Sequence, residues 1–297
     1  MNLNMRSLKG KVRQRRKLLF SDINSQVNLA SENLLRYGTS IEEACQGKSE
    51  KFEILLLASA HDLPLAIANA KHMLALHGDE ILKVSVICQN PVINGSEGLT
   101  FLTDDQFGIG DEVQRTLKRF GARTSWMKQQ YLKSKFVHSA LNPVLILDSD
   151  TFLNIPFTWL KNDTQILLVN TEDFHIPYNL HISKFLRITP PALNFVSHVQ
   201  LQQPAIVREI YSSDFDAGWS EWANSSWKFG EDSPASEFQT YASYLLSTKA
   251  NCRIVIPRHT VVSGKGTNLT GVLIQDAAKN SEIVTIGEKT LLVSEMN

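Results

Sequence analysis

Two aspartates stand at the end of an apolar run in the middle of the chain. The four apolar residues 144–147 run directly into Asp148 and, two positions later, Asp150. Successive side chains of a strand point to opposite faces, so a strand continuing through both would place the two carboxylates on one face and Ser149 on the other. Neighbouring carboxylates repel, and a divalent cation, a shared proton or a basic neighbour relieves the repulsion. Oxygen ligands suit Mg²⁺ or Mn²⁺ and leave positions open for phosphate oxygens. The pattern predicts a buried strand ending in a metal-binding site or, alternatively, two solvated acids.

The segment before this strand carries polar side chains at helical spacing. Trp126, Gln130, Lys133 and Val137 fall on one side of a helix predicted to run to about residue 140, and Gln129 lies close to them. A polar face with an aromatic rim, delivered just before the acidic strand end, suits contact with a nucleotide. The alternative is a solvated helix face with a tryptophan in the core.

Strands and helices alternate from residue 52 onward, which indicates an α/β fold with a mainly parallel sheet flanked by helices. We predict strands at residues 52–59, 83–89 and 144 onward, and helices at residues 65–77, 111–120 and 126–140. Ligands of such sheets bind beyond the carboxyl ends of the strands. Asp62, after the first strand, and the aspartate pair should therefore face one cleft. The sequence has no glycine-rich phosphate loop, so phosphates would be held by metal and side chains.

Composition bounds the class of protein. The chain has 297 residues, 43% of them hydrophobic, and its 30 basic residues equal its 30 acidic residues. This balance argues against nucleic acid as a partner. Three widely separated cysteines fit a reducing compartment. The apolar runs are too short to span a bilayer, and the N-terminus does not resemble a secretory signal, so we expect a cytoplasmic protein.

The N-terminal part differs from the rest. We interpret residues 1–50 as a basic helical extension and residues 51–297 as the catalytic domain. The first twenty residues contain seven basic residues and no acid, a run that could contact the inner membrane face peripherally or remain a solvated tail. In residues 23–37, Val27, Leu34 and Leu35 lie roughly on one helical face, which could pack against the body.

In combination, these motifs resemble a group of bacterial proteins related to the GT-A glycosyltransferases, within the nucleotide-diphospho-sugar transferase superfamily. The resemblance covers roughly residues 52–260. It rests on Trp126, Gln129, Gln130 and Lys133, residues 144–151, residues 197–208, Trp219, Trp222, and Ser236, Glu237, Phe238 and Tyr241. One departure is the polar stretch 201–204, where we would expect a methionine-containing apolar segment.

The resemblance implies a GT-A-like, Rossmann-like twisted sheet that binds a nucleotide-sugar donor, with a UDP-sugar as one candidate. It also implies a glycan or other hydroxyl acceptor, and Mn²⁺ or Mg²⁺ as cofactor. Asp148 and Asp150 would then bind metal and nucleotide, with Asp62, Trp126, Gln129, Gln130, Lys133 and Ser149 on the nucleotide side.

Glu237 is the implied catalytic residue on the acceptor side. Inverting transfer needs a carboxylate that takes the proton of the acceptor hydroxyl, whereas retaining transfer does not. Ser233 and Pro234 are predicted as N-cap and first residue of a helix, which places Glu237 near its first turn and at the edge of its buried stripe. Glu237 could instead only complement the helix dipole. Asp232 is the second candidate.

His259, which follows a predicted strand at residues 252–257, is the candidate third metal ligand. A surface histidine is the alternative.

Two other functions fit parts of the pattern. Asp148 and Asp150 could be the nucleophile and acid of a haloacid-dehalogenase-type phosphatase, with residues 230–232 as its distal acidic motif. Against this, about ninety residues of sheet precede the motif, and Phe152 stands where that family has threonine. The same fold could also serve as a non-catalytic nucleotide-sugar-binding module.

Overall fold

The computed structural model describes residues 25, 27–89, 98–171, 175–226, 235–249, 251–263 and 281–287, with side chains left out at 260–263 and 286–287. Its helices are α1 (27–37), α2 (Ile41–Ala44), α3 (Leu63–His77), α4 (Asp111–Lys118), α5 (Thr124–Ser139), α6 (Ile176–Leu186), α7 (Pro204–Tyr211), α8 (Phe215–Ser226) and α9 (Glu237–Thr248). None of these helices is long and apolar enough to cross a membrane.

The strands form three sheets. They are β1 (Phe52–Leu57), β2 (Ile81–Ile87), β3 (Leu99–Leu102), β4 (Val144–Asp148), β5 (Thr151–Leu153), β6 (Leu160–Lys161), β7 (Thr164–Leu168), β8 (Val199–Gln202), β9 (Cys252–Val255), β10 (His259–Ser263) and β11 (Ile283–Gly287). The main sheet has the order β3-β2-β1-β4-β8, and the smaller sheets have the orders β10-β11-β5 and β6-β7-β9.

The main sheet is parallel except at one edge. β1 pairs in parallel with β2 and β4, and only β8, beside β4, runs antiparallel. Leu57 and Asp148 are register partners, so the carboxyl ends of β1 and β4 meet at one edge. The near-continuous apolar sequences of both strands reflect burial on both faces. This arrangement confirms the predicted α/β class with a mainly parallel sheet flanked by helices.

Two cores cover the faces of the main sheet. Leu55 and Ile146 pack into one core together with α5, α8 and α9. Leu56 and Leu147, one position further along, pack into the other core with α3. The strands alternate between these cores because adjacent side chains point to opposite faces.

α1 packs on the body as predicted, but of the predicted apolar face only Leu34 takes part. Leu34 and the buried Tyr37 contact the first core, whereas Val27 and Leu35 are 58% and 87% exposed. The chain then reaches the sheet β6-β7-β9, where Gly38 forms an isolated parallel bridge with Ile254 of β9.

The polar stretch at 201–204 belongs to a buried hydrogen-bond network. The Gln202 side-chain amide donates to Gln200 Oε1 at 3.0 Å, and that of Gln203 donates to Gln165 Oε1 at 3.0 Å. The Tyr241 hydroxyl also donates to Gln165 Oε1, at 2.9 Å, and accepts from the Gln203 backbone N–H at 2.9 Å. The network links β7, β8 and α9. Buried polar groups require hydrogen-bond partners, and these side chains supply them to one another. The polar residues are therefore internal.

Candidate functional site

A polar cleft lies at the edge where β1 and β4 end. The cavity has a volume of about 280 Å³, and Ser59, Tyr178, Val196 and His198 contribute to its walls. Nine of the residues predicted from the sequence line it: Asp62, Trp126, Gln129, Gln130, Lys133, Asp148, Ser149, Asp150 and Glu237. The structure thus brings together residues from four separate parts of the chain, at the place where parallel sheets bind ligands.

The two aspartates do not lie on one continuous strand, which corrects the sequence prediction. β4 ends at Asp148, Ser149 and Asp150 form the turn, and β5 begins at the next residue. The side-chain amide of Asn69 donates to the Thr151 carbonyl oxygen at 2.7 Å. Because Asn69 is fully buried in α3, this contact anchors the end of the turn.

Lys133 is the central cation of the cleft. It is 4% exposed, and its Nζ lies 2.8 Å from Asp148 Oδ1 and 3.2 Å from Glu237 Oε1. The same amine lies 4.8 Å from the ring centroid of Phe238. A buried charge requires partners of opposite sign. The ammonium of Lys133 thus links the acidic turn, which we define as residues 148–150, to the start of α9.

His198 contacts Asp148, although it is not among the site residues predicted from the sequence. It immediately precedes β8 and has a φ of 63°, which turns the chain so that its Nδ1 lies 3.0 Å from Asp148 Oδ2. Its backbone oxygen accepts from the Asp148 N–H at 2.9 Å. No short motif marks this histidine, because the contact depends on the antiparallel pairing of β8 with β4.

These contacts set the protonation of the cleft. Burial alone would raise the pKa of Asp148, but Lys133 and His198 bring it well below its usual range. Burial would lower the pKa values of Lys133 and His198, and the hydrogen-bonded carboxylates raise both instead. For Glu237, burial raises the pKa in spite of the opposing effect of Lys133. Asp148 is therefore ionised and neutralised, whereas Glu237 has greater affinity for a proton than an ordinary glutamate.

The start of α9 holds Glu237 in place. Ser236, and not the predicted Ser233, is the N-cap, since its hydroxyl oxygen accepts from the Gln239 N–H. Glu237 is thus the first helical residue, and its N–H donates to Gln130 Oε1 at 3.0 Å. It is 3% exposed and lies deeper than the helix edge expected for it. Asp232, Ser233 and Pro234 lie outside the described residues.

Gln239 restrains the same turn of α9 through two hydrogen bonds to the backbone of residues 193–195. Its amide donates to the Leu193 carbonyl at 2.7 Å, and its Oε1 accepts from the Phe195 N–H at 2.7 Å. Two short backbone contacts from one buried side chain restrain the position of the first turn, and with it the carboxylate of Glu237.

Asp62 and Trp126 form the outer part of the cleft. Asp62 Oδ2 accepts from the Ser59 hydroxyl at 2.8 Å, and His61 Nδ1 lies 3.2 Å from Asp62 Oδ1. Trp126 is partly buried against the first core, with the Arg123 guanidinium 5.9 Å from its ring centroid. The nucleotide-facing surface predicted on α5 therefore does line the cleft, through Trp126, Gln129, Gln130 and Lys133.

The side chains present fit a divalent cation held by two carboxylates. Asp148 and Asp150 line one cavity, and Mg²⁺ needs only one or two protein carboxylates when water and phosphate oxygens complete its shell. Within the described part of the chain, no three histidine, cysteine, aspartate or glutamate side chains form a metal-binding group. His259 in particular is not assembled with the aspartates as a third ligand. Its Nε2 lies 2.9 Å from Thr285 Oγ1, and its ring centroid lies 5.8 Å from that of His198.

Comparison with known proteins gives structural similarities only. No protein-family model and no curated protein sequence matches the chain. The solved galactosyltransferase LgtC, in complex with donor and acceptor sugar analogues, aligns over 80% of this chain and 87% of its own, with 13% identity and a TM-score of 0.42. An active-site mutant of LgtC aligns over 80% of this chain and 88% of its own, with 13% identity and a TM-score of 0.44. Mouse xyloside xylosyltransferase 1, in its apo form, aligns over 79% of this chain and 97% of its own, with 10% identity and a TM-score of 0.43.

Proposed function

We propose that this protein is a glycosyltransferase that moves a sugar from a nucleotide-diphosphate donor to an acceptor hydroxyl and depends on Mn²⁺ or Mg²⁺. The observation that carries the proposal is the cleft at the carboxyl ends of β1 and β4, where the buried Lys133 lies between Asp148 and Glu237. The motif resemblance of residues 126–151 and 236–241 supports the same activity. A UDP-sugar is the first donor to test, and a glycan or other hydroxyl compound is the acceptor.

The acidic turn and Lys133 would serve the leaving group. Cleavage of the bond between a sugar and a diphosphate builds negative charge on the leaving phosphate. A cation on Asp148 and Asp150 would supply Lewis-acid stabilisation of that charge. Lys133, and His198 when it is protonated, add positive charge beside the same carboxylate, in a buried place where electrostatic stabilisation is stronger than in water.

Glu237 would serve the acceptor. Its carboxylate lines the cavity, and burial raises its pKa, so it is a better proton acceptor than an exposed glutamate. Lys133, 3.2 Å away, would stabilise the charge of the deprotonated form. In an inverting reaction, Glu237 would take the proton of the acceptor hydroxyl as the new bond forms. Asp232 remains the second candidate base.

We further propose that the protein is cytoplasmic, with residues 1–50 as an N-terminal extension whose described part packs against residues 51–297. The seven basic residues and absence of acid among the first twenty support peripheral contact with the inner membrane face. The overall balance of 30 basic and 30 acidic residues gives no support for a nucleic-acid partner.

Ligand-linked stabilisation tests the proposal. UDP should raise the melting temperature in the presence of Mn²⁺ or Mg²⁺ and raise it much less after chelation, because a ligand that binds only the folded form stabilises it. Asp150→Ala should remove the metal-dependent part of the shift. Asp79→Ala is the matched control, since that carboxylate is 78% exposed and pairs with Lys48 at the surface. Equal shifts with and without metal would refute the metal dependence. If no nucleoside diphosphate produced a shift under any condition, the donor assignment itself would fail.

A further inference from the structure

A second cavity lies apart from the cleft. It has a volume of about 600 Å³ and lies between the end of α1, α2 and the sheet β6-β7-β9. None of the residues that line it also lines the cleft. Its volume falls within the range of pockets that bind small molecules, about 300–1,000 Å³.

Three cations from three elements line this second cavity: Arg36 of α1, Lys161 of β6 and Arg253 of β9. Among the described residues, none of the three forms an ion pair. Burial raises the pKa of Cys252 to about 11, while Arg253 and Arg36 both act to lower it. Both guanidinium groups are thus close enough to Cys252 to act on its pKa.

The β6–β7 hairpin delivers Lys161 to this place. Lys161 pairs with Thr164, and the two residues between them have φ values of 50° and 60°, as a tight two-residue turn requires. Gly47, in the loop after α2, lies next to the end of the flexible Lys161 side chain. Gly47 has a φ of +95°, and a Cβ there would lie 2.8 Å from Lys161 Nζ.

The one carboxylate among the lining residues is already used. Glu43 Oε2 accepts from the Thr39 hydroxyl at 2.6 Å and from the Ser40 N–H at 3.3 Å, as part of the capping box of α2. Three cations against one committed carboxylate leave the cavity with net positive charge. All three cations are exposed to solvent, and an anion bound among them would reduce their mutual repulsion.

We propose that this cavity binds a phosphate-bearing anion. Two arginines supply the forked donors that pair with phosphate oxygens, and Lys161 supplies a point charge. Asn162 and Thr164, which also line the cavity, offer amide and hydroxyl donors. The phosphate belongs either to a soluble compound or to a lipid headgroup, because both present the same group to these side chains.

Titration calorimetry with inorganic pyrophosphate, at low ionic strength and without divalent metal, tests the site. Lys161→Gln combined with Arg253→Gln should weaken binding by roughly tenfold or more, the expected effect of losing charge-assisted hydrogen bonds. Lys161→Arg should retain binding. Lys83→Gln, which removes an equally exposed lysine from β2, is the matched control. If the double variant does not fold, Arg36→Gln on the exposed end of α1 asks the same question. An unchanged affinity in the double variant, or an equal loss in Lys83→Gln, would overturn the proposal.

Vesicle co-sedimentation separates the two sources of phosphate. Phosphatidylcholine vesicles with and without phosphatidic acid would be compared for wild type and the double variant. A loss of phosphatidic-acid-dependent binding in the double variant assigns the site to a lipid headgroup. Unchanged vesicle binding together with lost pyrophosphate binding assigns it to a soluble phosphate compound.

Discussion

The substitution Lys133→Met tests whether the buried ion pair holds the cleft together. The methionine keeps a flexible apolar side chain of similar length and removes the charge. Glu237, at 3% exposed, would then be a buried carboxylate without the ion pair that the structure gives it. Removing one partner of a buried pair typically costs about 3–5 kcal/mol, and we expect a loss of unfolding free energy in that range at neutral pH.

A double-mutant cycle isolates the reason for this loss. Glu237→Gln alone should cost only about 1–2 kcal/mol, because Lys133 keeps Asp148 at 2.8 Å. Lys133→Met combined with Glu237→Gln should cost less than the sum of the two by about 1–3 kcal/mol, since the unpaired carboxylate is gone. Lys249→Met is the control. Its amine pairs with Glu209 at 3.1 Å but is 44% exposed, so its loss should cost less than about 1 kcal/mol.

The pH dependence has a defined sign. In Lys133→Met, burial holds the pKa of Glu237 above its unfolded value, so the folded form binds more protons than the unfolded form between the two pKa values. The loss of stability should therefore grow as pH rises and shrink as pH falls towards the unfolded pKa of about 4.5. Urea unfolding between about pH 5 and 8 measures this trend. A Lys133→Met cost below about 1 kcal/mol, or strict additivity in the cycle, would refute the role given to the ion pair.

Three further predictions concern the reaction and the fold. Glu237→Gln should reduce sugar transfer by roughly 10²- to 10⁴-fold with little change in nucleotide affinity, and wild-type turnover in an assay of labelled acceptor would exclude Glu237 as the base. Burial lowers the pKa of His181 to about 4 from 6.5. The unfolded chain therefore binds the extra proton, so the free energy of unfolding should fall by ~3 kcal/mol from pH 6.5 towards pH 4. His181→Gln should flatten that pH profile in urea unfolding. Gly218→Ala should cost roughly 3 kcal/mol, because the added Cβ would lie 1.7 Å from the Tyr211 carbonyl oxygen; Gly110→Ala, whose Cβ would meet nothing nearer than 3.8 Å, should cost less than about 1 kcal/mol on thermal unfolding.

The sequence predicted the main sheet well because its signals are local. The apolar run 144–147 and the strand–helix alternation from residue 52 depend on neighbours in the chain, and β1, β4, α3 and α5 form within a few residues of the predicted bounds. The antiparallel direction of β8 could not be foreseen, since it depends on the long connection, residues 154–198, between β5 and β8. The exposed positions of Val27 and Leu35 differ from prediction because Tyr37 and Leu34 determine which face of α1 packs.

The site was predictable in its membership but not in its contacts. Asp62, Gln130, Lys133 and the aspartate pair were expected in one cleft, since strand ends converge in a parallel sheet. The pairing of Lys133 with both Asp148 and Glu237 required the start of α9 to lie beside α5, which no local pattern encodes. His198 was missed for a similar reason, because its left-handed φ and its register come from the sheet. The N-cap at Ser236 was misplaced because Ser233 and Pro234 are also a strong start signal.

The antiparallel strand β8 has a consequence for the order in which the protein assembles during synthesis. The cleft needs partners that are far apart in the chain: Asp148 and His198 are separated by 50 residues, and Gln130 and Glu237 by 107. At a synthesis rate of about 5–20 residues per second, the segment that carries Lys133 would wait roughly 5–20 s for the start of α9. Until β8 is made, the edge of β4 that it will pair with faces solvent on the nascent chain, where an unpaired strand edge invites association. The stretch of chain that carries Lys133 and Asp148 is thus also a stretch whose partners arrive late, first β8 and then α9.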